Sequence, residues 1–254
     1  MLRTRVMPAL LLLDRGLVKT EKFKGSRYIG DPINTARIFN EMEVDELVLL
    51  DVGATMNRHP VQFELVESIV SECFMPICYG GGVRTISDFE RLFYSGVEKV
   101  SVSSLLFEQP SVVSEAVARY GSQSVVATID VRKARFGGAY TVYTHRGTRK
   151  VGRPLGAVLD QLADLKVGEV LVNNIDREGT WGGFDVDLVS LVAERMRCPV
   201  IAMGGAGSLE DIGQVVREGH ASAVAVGSLA VFQARGMGVL VNFPSVSQLK
   251  DFLP

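Results

Sequence analysis

The sequence predicts an α/β fold of one kind, a (β/α)8 TIM barrel built from two duplicated half-barrels and filling residues 1–254 as a single domain. Three observations predict it. Eight short apolar runs, rich in β-branched residues, start near Arg5, Glu46, Pro76, Lys99, Ser124, Glu169, Pro199 and Ala221, with amphipathic helical stretches between them. The intervals between those starts are 41, 30, 23, 25, 45, 30 and 22 residues, so a long-medium-short pattern occurs twice. Pro76–Gly82 matches Pro199–Gly205 in kind, and Gly82 precedes Gly96 by the same 14 residues that separate Gly205 from Gly219. Eight β-α units in about 250 residues suit one closed barrel. A two-domain doubly wound chain would need a linker, and no Pro/Gly/Ser-rich or charge-rich boundary lies near the middle.

The elements follow in order. The first run leads into a long connection, Asp14 to Asp31, that carries Lys19, Lys22, Phe23, Lys24 and Gly25. Lys and Gly together suit a mobile lid over an anionic substrate, and equally an ordinary solvated loop. The second run ends Leu50-Asp51-Val52-Gly53, and Val61 to Cys73 presents Phe63, Val66, Ile69, Val70 and Cys73 on one helical face. The third ends at Gly80-Gly81-Gly82. After it Ser87-Asp88-Phe89-Glu90 reads as a capping box and Gly96 as the helix stop. The fourth ends Ser101-Val102-Ser103-Ser104 and the fifth Ile129-Asp130-Val131. The connection Arg132 to Arg153, with Phe136–Ala139, Tyr140 to Tyr143 and His145-Arg146-Gly147, reads as a β-hairpin and a twin of the first long connection. The sixth ends Asn173 to Thr180, the seventh Gly204-Gly205-Ala206-Gly207, the eighth Gly227-Ser228. Near-continuous apolar runs such as Leu47–Leu50 and Val224–Val226 imply strands covered on both faces.

Composition narrows the function classes. Lys+Arg 27 against Asp+Glu 29 leaves a net charge of −2, which argues against bulk-charge binding to nucleic acid. The longest apolar run, Ala9 to Leu13, is far below the roughly 20 residues that span a bilayer. The N-terminus has no signal-peptide pattern. Cys73, Cys78 and Cys198 show no C-x-x-C spacing and the three His are scattered, so no metal, no disulfide framework and no cofactor are expected, and the expected location is cytoplasmic.

Barrel active sites lie at the C-terminal ends of the strands. Two Gly-rich ends, Gly81-Gly82 and Gly204-Gly205, are each followed one unit later by a Ser-bearing end, Ser103-Ser104 and Gly227-Ser228. Glycines admit backbone N–H groups close to an anion, and a following helix N-terminus adds about half a positive charge. The expectation is a ligand with a phosphate at each end across the barrel mouth; the bland alternative is that the glycines only permit tight turns. Four carboxylates also end strands: Asp51, Asp130, Asp176 and Glu178. Asp130 follows an apolar run, where burial would raise its pKa and suit it to proton transfer; a structural, hydrogen-bonded Asp is the alternative. Laying Val6–Leu11 on Val125–Asp130 makes Leu11 the mate of Asp130, where a two-acid barrel would want a carboxylate. Arg5, Glu46, Lys99 and Glu169 stand where four strands begin, two cations and two anions that would close a ring on the bottom face. Bottom-face residues usually mean stability.

Val18-Lys19 with Phe23-Lys24-Gly25, Gly30-Asp31-Pro32, Asp45-Glu46-Leu47-Val48, Gly80-Gly81-Gly82, Ile129-Asp130, Ile175-Asp176-Arg177-Glu178-Gly179-Thr180 and Gly204-Gly205-Ala206-Gly207 together resemble the cyclase subunit of imidazole glycerol phosphate synthase, over nearly the whole chain. The resemblance implies a barrel that takes ammonia from a glutaminase subunit (a class I amidotransferase, paired with it as a heterodimer). It adds that ammonia to a bis-phosphate ribonucleotide in histidine biosynthesis. By resemblance Asp130 is one of two catalytic acids and Lys19 the lid lysine. Gly82, Ser103 and Ser104 fall on one phosphate site, where the family commonly has Asn-Thr for the two serines. Glu178, in place of an Asp, joins Gly179, Gly205, Gly227 and Ser228 at the other. Arg5, Glu46, Lys99 and Glu169 match the family's ammonia gate. The departures are Leu11, where the family has its other acid, and Met203, in place of a small polar residue.

Two readings follow from the resemblance. One is the cyclase itself with a divergent site. The other is a paralogue that keeps the gate and the glutaminase but delivers nitrogen elsewhere. It would serve an ATP-dependent amidotransferase that turns an acetamido group of a surface-polysaccharide sugar into an acetamidino group. Leu11 favours the second.

Overall fold

The apolar runs fold as strands because both of their faces find cover. The computed structural model describes residues 4–134 and 138–253. Phe136 and Gly137, read above as part of the second long connection, lie outside the described residues. The strands are β1 (Arg5–Leu13), β2 (Gly16–Glu21), β3 (Lys24–Gly30), β4 (Leu47–Asp51), β5 (Ile77–Gly80), β6 (Lys99–Val102), β7 (Val125–Lys133), β8 (Tyr140–Thr144), β9 (Arg149–Pro154), β10 (Glu169–Asn174), β11 (Val200–Met203) and β12 (Ala223–Val226). Eight of them pair in parallel in the order β10-β11-β12-β1-β4-β5-β6-β7, and β7 pairs back onto β10. That last pairing closes the sheet into a barrel, with helices in the connections. The expected strand starts lie within two residues of those observed.

Alternation along each strand sorts the side chains into two shells. Met7, Ala9, Val48, Cys78, Val126, Leu171, Ile201 and Met203 fill the barrel interior. Leu10, Leu12, Leu47, Leu49, Ile77 and Tyr79 point outward and pack under the helices. The helix Phe63–Val70 shows how the outer shell closes. It buries Leu65, Val66 and Ile69. Phe63, Val70 and Cys73 are half-buried beside them. The expected face thus missed Leu65 and ran past the helix end to Cys73, because the chain turns at Ser71.

The helix after β5 corrects the expected capping box. It spans Ile86–Tyr94, with Thr85 rather than Ser87 as N-cap and Asp88 as its reciprocal partner. Thr85 has the extended backbone an N-cap needs, whereas Ser87 already lies inside the helix. Gly96, with φ of 93°, does follow the helix end. The second half repeats the device: Ser208 and Asp211 cap the helix Leu209–Arg217.

Both long connections are hairpins. β2 runs antiparallel to β1 and β3, and β8 antiparallel to β7 and β9. The first is therefore ordered on both arms: Leu17, Val18, Lys19 and Thr20 of β2 are buried, while β3 is exposed from Lys24 to Tyr28. The two hairpin turns meet over the mouth, where a Cβ on Gly147 would lie 3.3 Å from the Phe23 ring. Among the described residues no helix is long and apolar enough to cross a membrane.

Candidate functional site at the barrel mouth

A cavity opens at the C-terminal ends of the strands. Leu11, Leu50 and Met203 give it an apolar wall, and Gly81, Gly82, Ser103 and Ser104 a polar one. Asp130, Asn173 and Glu178 stand between, under a cover that includes Phe23, His145 and Arg146.

Asp130 faces inward because it continues the parity of Val126 and Thr128 along β7. Asn173, its neighbour on β10, donates Nδ2 to Asp130 Oδ1 at 3.0 Å. Burial nonetheless pushes the Asp130 carboxyl up, the Asn173 hydrogen bond opposes this, and Glu178 adds repulsion; the result is a pKa of about 7. A group balanced near neutral pH can both give and take a proton. Its mate offers nothing of the kind. Leu11 is buried, 4% exposed, on the same wall as Leu50.

The other expected carboxylates have different places. Asp51 points outward from β4: Oδ1 accepts from the backbone N–H of Gly53 and of Ala54, each at 3.0 Å, and Oδ2 from Gln62 Nε2 at 3.2 Å. It holds the turn after β4 and also borders the cavity. Asp176 turns to the exposed rim opposite Arg132, 3.8 Å away. Thr180 gives its hydroxyl to Arg177 O at 2.7 Å and so shapes its own turn. Neither borders the cavity.

The two Gly-rich ends differ. Gly81 and Gly82 have φ of 111° and 76°, the left-handed region glycine enters freely, and both border the cavity. Gly204 and Gly205 share that conformation but lie under the loop after β10: Gly183 N–H donates to Gly205 O at 2.9 Å, and a Cβ on Gly205 would sit 2.1 Å from Gly183 O. The expected help from helix N-termini is also small. Asp88 accepts from Arg84 and Thr85 N–H, and Asp211 from Gly207 and Ser208 N–H, so internal carboxylates already occupy those two termini. The helices that open after the Ser-bearing ends, Leu105–Glu108 and Ser228–Val231, have four residues each, too few to build a macrodipole.

Lys19 and Glu178 come together. Lys19 Nζ stands 2.7 Å from Glu178 Oε1, with both side chains buried. Gly179 packs against this hairpin, since a Cβ there would lie 2.5 Å from Thr20 O, and Ser228 is buried next to Gly227. At the opposite end the expected ring is closed. Arg5 donates Nη1 to Glu46 and Nη2 to Glu169, while Lys99 Nζ reaches Glu46 at 2.8 Å and Glu169 at 3.1 Å.

Several mouth residues escaped the sequence reading. Asn173, Thr20 and the Ser101–Thr128 hydroxyl pair, 2.6 Å apart, border the cavity. Counting by twos from Asp130 and from Glu169 would have found Thr128 and Asn173. Thr20 and the position of Arg146 depend on hairpin registers that periodicity does not set.

Residues 5–234 match the family described as Histidine biosynthesis protein. A Pseudomonas aeruginosa protein provisionally named imidazole glycerol phosphate synthase subunit hisF2 is 47% identical over 249 residues, 98% of this chain and 99% of that one. A Vibrio vulnificus protein provisionally named subunit hisF3 is 44% identical over 253 residues, 100% of this chain and 97% of the other. A Leptospira borgpetersenii protein provisionally named subunit HisF is 41% identical over 254 residues, the full length of both. The chain belongs to the histidine biosynthesis protein family, as a cyclase-subunit barrel of the imidazole glycerol phosphate synthase, or HisF, type.

Proposed function

We propose that this barrel accepts ammonia from a glutaminase docked on its bottom face, that its own ring-forming chemistry is weak, and that the nitrogen goes to the acetamido group of a surface-polysaccharide sugar through an ATP-dependent amidotransferase. The observation that carries this reading is Leu11. A cyclisation needs one group to give a proton while another takes it. Asp130 can do either, but its mate is a hydrocarbon in an apolar wall. The loss of one such group typically costs 10²–10⁴-fold in rate.

The bottom face supports the delivery half of the reading. The ring of Arg5, Glu46, Lys99 and Glu169 crosses the barrel axis, and above it the interior is lined by Met7, Val48, Val126, Leu171 and Ile201. An apolar column suits neutral ammonia and repels ammonium. Beside the ring, where helices turn back into β4, β5 and β6, Met42, Phe74 and Tyr94 stand exposed, Phe74 at 98% and Tyr94 at 94%. Asn40 Oδ1 accepts from Phe74 N–H at 2.8 Å and so joins two of these turns. Fully exposed aromatics on one face suit a protein partner.

The test is an assay of the purified chain with exogenous ammonia and the bis-phosphate ribonucleotide. Little imidazole glycerol phosphate should form, and Leu11→Asp should raise the yield. Wild-type turnover at the level of ordinary cyclases would refute the reading and favour the second one, the cyclase of histidine biosynthesis, for which the Asp130 pKa near neutrality is the supporting observation.

A further inference from the structure

We propose that Asn173 is the positioning residue for Asp130: its amide holds one carboxyl oxygen, leaves the other to the ligand and keeps the group able to ionise, so that a single acid can both give and take a proton where Leu11 has removed its mate. The inference rests on the reading of Asp130 as the proton-transfer group of the mouth.

Strand register sets the two side chains side by side. β10 turns Glu169, Leu171 and Asn173 inward, the first into the ring, the second into the apolar interior and the third to the cavity. Asn173 pairs with Asp130 across β10 and β7. Its Nδ2 donates to Asp130 Oδ1 at 3.0 Å, and among the described residues no other hydrogen bond reaches the Asp130 side chain. Oδ1 is thereby fixed and Oδ2 is left for the ligand.

The other end of the amide shows which of its atoms matters. Asn173 is 3% exposed, with Met203 beside it in register on β11. Its Oδ1 is buried without a hydrogen-bond partner among the described residues. That oxygen sits next to Gly204, where a Cβ would lie 2.6 Å from it. An orphan acceptor is a cost that a leucine of the same shape would not carry. The amide therefore contributes through Nδ2, and Nδ2 serves a carboxylate oxygen. A hydrogen bond of that kind favours the ionised form.

Burial pushes the Asp130 carboxyl up, the Asn173 hydrogen bond draws it back, and Glu178 repels the charge. Other elements add further ionisable neighbours. Lys19 on β2 is held by Glu178 at 2.7 Å, Asp51 ends β4, Tyr143 lies opposite Asp130 on β8, and His145 and Arg146 follow in the hairpin turn. β6 offers only the hydroxyls of Ser101 and Ser103. None of these groups hydrogen-bonds to Asp130, so exchanging the amide alone isolates its effect.

The experiment is an NMR titration of the full chain, isotope-labelled at the aspartate Cγ, with the Asp130 signal assigned by its loss in Asp130→Asn. Asn173→Leu keeps the shape of the side chain and removes the donor. It should move the Asp130 midpoint up by about one to two pH units. A second measurement needs no change at position 173: the Asn173 side-chain NH2 signal of the wild type should shift with the same midpoint as Asp130 Cγ. A midpoint that Asn173→Leu leaves in place, or an NH2 signal that ignores the Asp130 titration, overturns the inference and leaves the proposed function standing. A wild-type Asp130 midpoint near the ordinary value of 3.8 overturns the reading of Asp130 beneath it.

Discussion

Replacing Asp130 by Asn should leave stability unchanged near pH 4 and raise it at pH 8. Burial holds the folded carboxyl near a pKa of about 7, against an ordinary value of 3.8. Between those values the folded chain keeps a proton that the unfolded chain has released. Stability therefore falls as pH rises through that window; it is complete below the unfolded value and lost above the folded one. Three units at about 1.4 kcal/mol each give about 4 kcal/mol, and solvent reaching this partly exposed side chain trims that to about 2–4 kcal/mol. An amide at position 130 carries no charge at any pH. Its Oδ1 can still accept from Asn173 Nδ2, and its Nδ2 can donate to the unpartnered Asn173 Oδ1. Urea unfolding of wild type and Asp130→Asn at pH 4 and pH 8 measures the effect. The variant's advantage should be near zero at pH 4 and about 2–4 kcal/mol at pH 8. An advantage of the same size at both pH values would refute the account of the mouth as a site that forces Asp130 toward its neutral form.

Three further outcomes follow. Glu46→Ala breaks two contacts of the ring, one to Arg5 and one to Lys99; with a glutaminase partner it should lower glutamine-dependent activity more than ammonia-dependent activity, and equal losses in both would leave the ring a stabilising role only. Ser104→Asp places a carboxylate in the cavity beside Gly82 and should weaken inorganic phosphate binding by about tenfold or more, whereas unchanged affinity by calorimetry would remove this end from the phosphate reading. Thr85→Ala deletes the cap of Ile86–Tyr94 and should cost about 1 kcal/mol in a urea melt without touching phosphate affinity; a loss much below that would mean Asp88 alone holds the turn.

The barrel was legible because its cause is periodic. Runs buried on both faces and helices between them recur at intervals that survive in the bare sequence, and the duplication supplied a check on each half from the other. The ring was legible for the same reason, since four charges that each begin an apolar run converge once a sheet closes. The mouth was less so. Asp51 and Asp176 end strands just as Asp130 does, but Asp51, although it borders the cavity, is engaged in holding a turn, and Asp176 lies beyond β10 on the rim. Composition left the first long connection as a lid or a solvated loop, and it gave no hint that Lys19 is buried against Glu178. That contact joins residues 159 positions apart, and no local pattern specifies such a pair. The capping box was misplaced by two residues for a smaller reason: Thr85 and Ser87 are both acceptable caps, and only the backbone decides between them.

The ring itself poses a sharper question than its single variants answer. Charges of opposite sign in a closed, half-buried ring do not by themselves argue for stability. Desolvation offsets much of their attraction, and well-packed apolar residues of similar volume often serve as well or better. The interior directly above is already apolar, so Met and Leu side chains at the four ring positions would extend a column that Met7, Val48 and Leu171 begin. A fourfold variant, Arg5→Met with Glu46→Leu, Lys99→Met and Glu169→Leu, should therefore fold, with a urea midpoint equal to or above that of the wild type. If the ring passes ammonia, the same variant should lose glutamine-dependent activity, because a packed apolar plug has no ion pair that can part. Ammonia supplied from solution can reach the mouth from above, and activity with it should persist. Strong destabilisation of the fourfold variant would show that the charges hold the barrel together, and retained glutamine-dependent activity would show that the nitrogen takes another way in.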